Sequence, residues 1–163
     1  MSDLFDLTDK VTVVTGSSLG IGRAIAEAMA AHGAKVVISS RKADKCEIVA
    51  EEIKANGGEA IVIPCHCSHK DQLQNLVHKT IDTWGKIDIL VCNAAVNPFY
   101  GSLSDIPDDA YDKIMNTNVK SNVWLTSMVI PQMIQLGGGS IIIISSVAAL
   151  IGSAKLGTYG LSK

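Results

Sequence analysis

Tyr159 and Lys163 stand four residues apart in the terminal stretch "TYGLSK", and Ser146 precedes Tyr159 by thirteen residues at the end of "SIIIISS". If a helix begins there, the i, i+4 spacing puts the phenol and the ammonium on one face. A phenol ordinarily titrates near about 10, and a neighbouring ammonium favours the phenolate, so this pair is suited to giving and taking a proton near neutrality. Reducing a carbonyl needs a hydride donor, a proton for the developing alkoxide and a hydrogen bond that holds the carbonyl oxygen. Ser146 can supply the last, with Ser145 turned to the opposite side of the strand by alternation. A Tyr/Lys pair alone also fits an ordinary helix surface, so the reading depends on what accompanies it.

The first companion is "TGSSLGIG", residues 15–22, between the apolar run "VTVV" and the helical "RAIAEAMAAHG". A Gly-rich turn opening a helix lets a ligand approach the main chain and offers unpaired N–H groups to an anion. Gly16, Ser18, Leu19, Gly20, Ile21 and Gly22 are therefore candidate cofactor-binding residues, although a tight strand-to-helix connection would use the same glycines. The second companion ends the next apolar run, "KVVISSRK". A site for NAD usually presents an acidic side chain to the adenosine ribose at that point. Here Ser40 is uncharged, and Arg41 and Lys42 can pair with a 2′-phosphate, which points to NADP(H).

These residues need a frame. Near-continuous Val/Ile runs at 11–15, 35–40, 60–65, 87–93 and 140–146 read as parallel strands covered on both faces, and they alternate with helical stretches near 20–32, 43–56, 70–84 and 107–136. The first two helices end at "HGAK" and "ANGGEA", where Gly supplies the left-handed cap. The long stretch 107–136 holds Pro131 and "NTNVKSN", so two pieces or a kink are expected. A βαβα succession predicts an α/β, Rossmann-like, doubly wound parallel sheet, whose ligand binds beyond the carboxyl ends of the strands. The candidate residues fall at those ends. They include Cys65-His66-Cys67 after the third strand and Asn93-Ala94-Ala95 after the fourth.

Composition narrows the partners. The 163 residues fit one dinucleotide-binding domain spanning 1–163, and 47% apolar content suits a globular core. A net charge of −2 without long runs of either sign gives no footprint for nucleic acid or an anionic membrane, which leaves a small diffusible ligand. The start "MSDLFDLTDK" has no leader pattern and no window approaches a membrane span, so a cytoplasmic setting is expected. The four cysteines are read as buried thiols, and Cys65-His66-Cys67-Ser68-His69 lacks the spacing of a structural zinc site, so no metal is expected. His32, His78, Trp84 and Trp124 are read as ordinary helix and packing residues, and Gln72, Gln74 and Asn75 as a solvated face.

Taken together, Gly-x3-Gly-x-Gly after the first strand, Asn93-Ala94-Ala95 after the fourth, Asn118 in the long helix, Ser145-Ser146 after the fifth and Tyr159-x3-Lys163 resemble the short-chain dehydrogenase/reductase family, in order and over nearly the whole chain. Within it, "SSRK", "CH" and "NAAVNPFYG" are similar to the NADP-dependent carbonyl reductase and retinol dehydrogenase branch, which includes peroxisomal members. The resemblance implies catalytic roles for Asn118, Ser146, Tyr159 and Lys163. Asn118 would interrupt its helix and use a freed carbonyl to hold a water near Lys163. It implies cofactor contacts from His66, Asn93, Ala94, Tyr159 and Lys163, a carbonyl or alcohol substrate of ketone, aldehyde or retinoid type, and a homo-oligomer at full length. The chain departs from the family at Cys92 and Ala95, where Asn and Gly are common, and at His66, where the family often has Asp beside the adenine. The family also runs about half as long again, with further strands and helices beyond the point matched by Lys163. The 163 residues alone are expected to bind NADPH weakly, to associate and to turn over no carbonyl. A catalytically inactive dinucleotide-binding protein, or a partner of a full-length relative, is the alternative.

Overall fold

The computed structural model describes residues 4–163; the first three residues of the stretch read as lacking a leader lie outside it. Five strands form one parallel sheet: β1 (Val11–Thr15), β2 (Lys35–Ser39), β3 (Glu59–Val62), β4 (Ile89–Cys92) and β5 (Ser140–Ile143). Their order is β3-β2-β1-β4-β5, so the chain winds outward from β1 in one direction and then returns to its other side. This is the doubly wound, Rossmann-like sheet that the alternating pattern predicts. Register is in step across the centre, with Val14 beside Ile38 on one side and beside Val91 on the other.

Period-two alternation sends the strand side chains to two cores. Val13, Val37, Leu90 and Cys92 meet Leu73, Leu76 and Val77 of α3 (Lys70–Trp84) and Leu125, Val129 and Met133 of α5 (Ser121–Gln135). Val14, Val36, Ile38 and Val91 meet the small side chains Ala26 and Ala30 of α1 (Gly20–Ala31) and Cys46, Val49 and Ile53 of α2 (Ala43–Ala55). Gly33 and Gly57 follow the last turns of α1 and α2 with φ of 94° and 84°, the left-handed conformation expected of them.

Several strand boundaries differ from the sequence pattern. The strands expected to run to 65, 93 and 146 end at Val62, Cys92 and Ile143; single main-chain bonds follow at Cys65 (to the Ser40 carbonyl, 3.0 Å) and Ile144 (to the Cys92 carbonyl, 3.0 Å), while the Asn93 N–H turns to the Thr15 hydroxyl (3.0 Å). Cys65, Cys67, Ser145 and Ser146 therefore lie past the strands, and strand alternation does not set their directions. The stretch 107–136 divides as expected, within "NTNVKSN" and not at Pro131. α4 (Asp108–Met115) passes into one wide π turn, Asn116–Lys120, and then into α5, which runs through Pro131 without ending. The Ser121 hydroxyl donates to the Thr117 carbonyl (2.6 Å) and the Asn122 amide to the Asn118 carbonyl (2.8 Å), so side chains take up carbonyls released by the wider winding. A last short helix, α6 (Gly157–Ser162), carries Tyr159 and leads to Lys163.

Candidate active site and nucleotide cleft

The turn after β1 is held from below by three side chains. Thr15 is buried, and its hydroxyl accepts the N–H groups of Asn93 (3.0 Å) and Ala94 (3.1 Å) while donating to the Val91 carbonyl (3.3 Å). The Asn93 amide donates to the carbonyls of Thr15 (2.9 Å) and Gly16 (3.2 Å). Ser17 closes the other side. Its N–H donates to the Ser39 carbonyl (3.1 Å), the Ser39 N–H donates to its hydroxyl (2.8 Å), and that hydroxyl donates to the Val14 carbonyl (2.7 Å). Gly16 turns with φ of 68°, and a Cβ on Gly22 would run into the Gly16 carbonyl and the Asn93 amide. α1 thus starts against the turn with Leu19 at its cap position and no side chain bonded to its first N–H groups.

Beyond this turn lies a cleft of about 450 Å³. Of the predicted cofactor residues, Gly16, Ser18, Leu19, Arg41, Lys42, His66, Asn93 and Ala94 line it. Gly20, Ile21 and Gly22 form the first turn of α1 behind the rim. Lys45 of α2, Lys113 of α4 and Thr117 of the π turn also line the cleft and were missed by sequence reasoning. Lys45 was legible in part, being one helical turn from Arg41 and Lys42. Nothing local marked Lys113. Four cations therefore face the cleft, and no carboxylate is among its described lining residues. An uncapped helix start, close main-chain approach and a cationic wall fit a phosphorylated dinucleotide.

His66 is fixed as much by its backbone as by its ring. Its N–H donates to Gln72 Oε1 (2.7 Å), while Ser68 Oγ lies 3.2 Å from His66 Nδ1 and 3.1 Å from Thr117 Oγ1. Gln72, expected on a solvated face, is half-buried and holds this turn, because α3 begins directly beneath it. Burial, then the charges of His69 and Arg41, push the His66 ring below its ordinary 6.5.

The Tyr159 and Lys163 region is built differently. A Cβ on Gly160 would come within 2.5 Å of the Ala148 carbonyl, so glycine lets α6 close on the Val147–Ala149 turn that Ser146 caps. The Ser145 hydroxyl donates to the Lys163 carbonyl (2.7 Å), and the Ser146 hydroxyl accepts from the Ala148 N–H (3.2 Å). Asn118 is buried, and its side chain pairs with both the N–H (2.8 Å) and the carbonyl (3.0 Å) of Val96. Its Nδ2 also donates to Ser162 Oγ (2.9 Å), whose hydrogen goes to the Tyr159 carbonyl (2.8 Å). Asn118 thus joins the segment after β4 to the helix carrying Tyr159 and Lys163. Its own carbonyl accepts from the Asn122 side-chain amide (2.8 Å). Among the described residues neither the Tyr159 phenol nor the Lys163 ammonium has a hydrogen bond or ion pair, and burial lowers the Lys163 pKa from its ordinary 10.5. Tyr159 lines a narrow crevice of about 10 Å³ beside Phe99 and Leu156.

The sequence profile described as short chain dehydrogenase matches residues 10–163. The chain belongs to this family. Dehydrogenase/reductase SDR family member 4 of Bos taurus is 43% identical over 157 residues, covering 96% of this chain and 56% of that protein. The Homo sapiens protein of the same name is 41% identical with the same coverage. These relatives set the chain in the branch around that protein, and the chain spans a little over half their length. Among solved structures, a metagenomic short-chain oxidoreductase in complex with NADP superposes with a TM-score of 0.92 at 38% identity, over 96% of this chain and 71% of that one. The 7 alpha-hydroxysteroid dehydrogenase complexed with NADH and 7-oxo glycochenodeoxycholic acid gives 0.95 at 34%, over 99% and 63%. No helix among the described residues is long and apolar enough to cross a membrane.

Proposed function

We propose that residues 1–163 are one dinucleotide-binding domain of an NADP(H)-dependent oxidoreductase that moves hydride between the nicotinamide and a carbonyl or secondary alcohol of ketone, aldehyde or retinoid type. The observation that carries the cofactor reading is the cleft wall, which sets Arg41, Lys42 and Lys45 beside uncharged Ser40 and offers no carboxylate to a ribose hydroxyl. A 2′-phosphate would be held there by charge-assisted bonds, and the pyrophosphate by the N–H groups that open α1. When bound, the nicotinamide supplies or accepts the hydride.

The chain's own residues do the rest. Ser146 holds the carbonyl oxygen, and Tyr159 passes its phenolic proton to the oxygen as negative charge develops there. Lys163 favours the phenolate that remains, and Asn118 fixes α6 and offers its carbonyl to a relay water. The reading carries with it a homo-oligomeric full-length form, a cytoplasmic setting and a diffusible substrate.

Calorimetric titration of NADPH and NADH tests the cofactor. NADPH should bind more tightly and Arg41→Ala should erase most of the difference; equal affinities, or a preference unchanged in the variant, would reject the reading. Nucleotide binding with no turnover at the relatives' full length would favour a binding protein instead.

A further inference from the structure

Two thiols that the proposed chemistry does not use stand in the wall of the cleft. Cys65 and Cys67 both line it, two residues apart, and Cys65 is 2% and Cys67 8% exposed. Both belong to one buried cluster beneath the cleft. Cys46 and Cys92 are also free and buried, but neither lines the cleft. Thus two of the four thiols share one another's company and an opening to solvent.

We propose that Cys65 and Cys67 form a thiol modification site, at which a peroxide oxidises Cys67 and Cys65 then closes a disulfide across the cleft wall. An extended chain advances about 3.3–3.6 Å per residue, so positions two apart lie within about 7 Å, and a disulfide needs Cα atoms about 4.4–6.8 Å apart. A slight bend suffices. The segment can bend because it lies past β3: Cys65 keeps the last sheet-like bond, its N–H to the Ser40 carbonyl (3.0 Å), while Cys67 sits in a turn closed by the His69 N–H on the His66 carbonyl (2.9 Å).

The two thiols are unequal. Cys67 is the more exposed of the two and lines the cleft together with Arg41, whose charge favours a thiolate. Cys65 is the more deeply buried, which favours the neutral thiol, so it keeps its proton until it attacks. In the first step the Cys67 thiolate attacks one oxygen of hydrogen peroxide. The O–O bond breaks, and with one proton a sulfenic acid and water result. In the second, the Cys65 sulfur displaces water from that sulfenic acid, losing its proton as the S–S bond forms. Two thiols are oxidised and one peroxide is reduced to two waters. Closure would tighten the turn that Ser68 ties to Thr117, and so reach the π turn from the cleft wall.

The 163-residue chain is exposed to a small excess of hydrogen peroxide, the remaining thiols are alkylated after unfolding, and the peptides are mapped by mass. The expected product has lost the mass of two hydrogens in the single peptide holding both Cys65 and Cys67, with Cys46 and Cys92 still alkylated. Cys67→Ser should abolish the loss, and Cys65→Ser should leave a sulfenic acid that dimedone captures on Cys67. Oxidation falling first on Cys46 or Cys92, a disulfide between chains, or Cys65 and Cys67 both alkylated after peroxide would overturn the assignment. Should a variant fail to fold, the map of the unaltered chain decides the matter alone.

Discussion

The two ends of the candidate site sit on the same edge of one sheet but are held in different ways. At the β1 end, Thr15, Ser17 and Asn93 are tied to three strands by short hydrogen bonds, and Thr15 and Ser17 are fully buried. At the β5 end, Tyr159 and Lys163 ride on a helix of six residues, and the surrounding apolar side chains face outward, with Leu150 87% and Leu161 70% exposed. Thr158 and Ser162 are the buried side chains of α6, and Asn118 holds it through Ser162. The β1 end therefore takes its geometry from the sheet itself. The Tyr159 and Lys163 end takes its geometry from one amide, one close glycine contact and the hydroxyl of Ser145.

The sharpest way to separate the two ends is Tyr159→Phe in a chain carried to the relatives' full length. Turnover should fall by orders of magnitude while NADPH affinity, read by calorimetry, stays within error, because only an interaction made in the transition state is removed. Coupled loss of affinity would show that the ends are not independent.

Thr15→Val should have the largest effect on stability. It leaves the N–H groups of Asn93 and Ala94 without their acceptor, a cost of about 2–4 kcal/mol in urea denaturation. Ser146→Ala, at the looser end, should cost less than about 0.5 kcal/mol. Similar costs for the two would erase the contrast. Gly22→Ala comes next, expected to cost about 1–3 kcal/mol and to weaken NADPH binding, since the new methyl must displace the Gly16 carbonyl.

The smallest effect concerns pH. The folded His66 ring titrates below its ordinary 6.5, so as pH falls through 6.5 the unfolded chain takes up a proton first. Stability should therefore be flat in this respect above 6.5, fall below it, and level off once the folded ring is also protonated. His66→Asn should flatten that part of a melting-temperature profile between pH 7 and 5. A profile unchanged by the substitution would remove His66 as its source.

The sequence showed the sheet, its order of elements and the glycine turn, because strand periodicity and cap residues are local signals. It showed Arg41, Lys42 and the Tyr159/Lys163 spacing for the same reason. It did not show Ser17, whose role depends on lying beside Ser39 of another strand, nor Lys113, which reaches the cleft only through the path of α4. Gln72 looked like a surface residue until the turn at His66 was placed over the start of α3. Of the two irregularities visible in the long helix, Pro131 passes without a break and "NTNVKSN" holds it, at Asn116–Lys120, where hydroxyl and amide side chains absorb the cost.

That wide turn amounts to one extra residue in an otherwise regular winding. A single residue is about 100° of rotation in an α-helix. The stretch from Asp108 to Gln135 is therefore a shaft cut in two and re-joined out of phase. Its first part faces α6, and its second part faces α3, neighbours that a uniformly wound helix would have to serve with one stripe. Deleting one residue between 116 and 120 would bring the halves back into phase, and either Asn118 would swing away from Val96 and Ser162 or Leu125 and Val129 would leave the core.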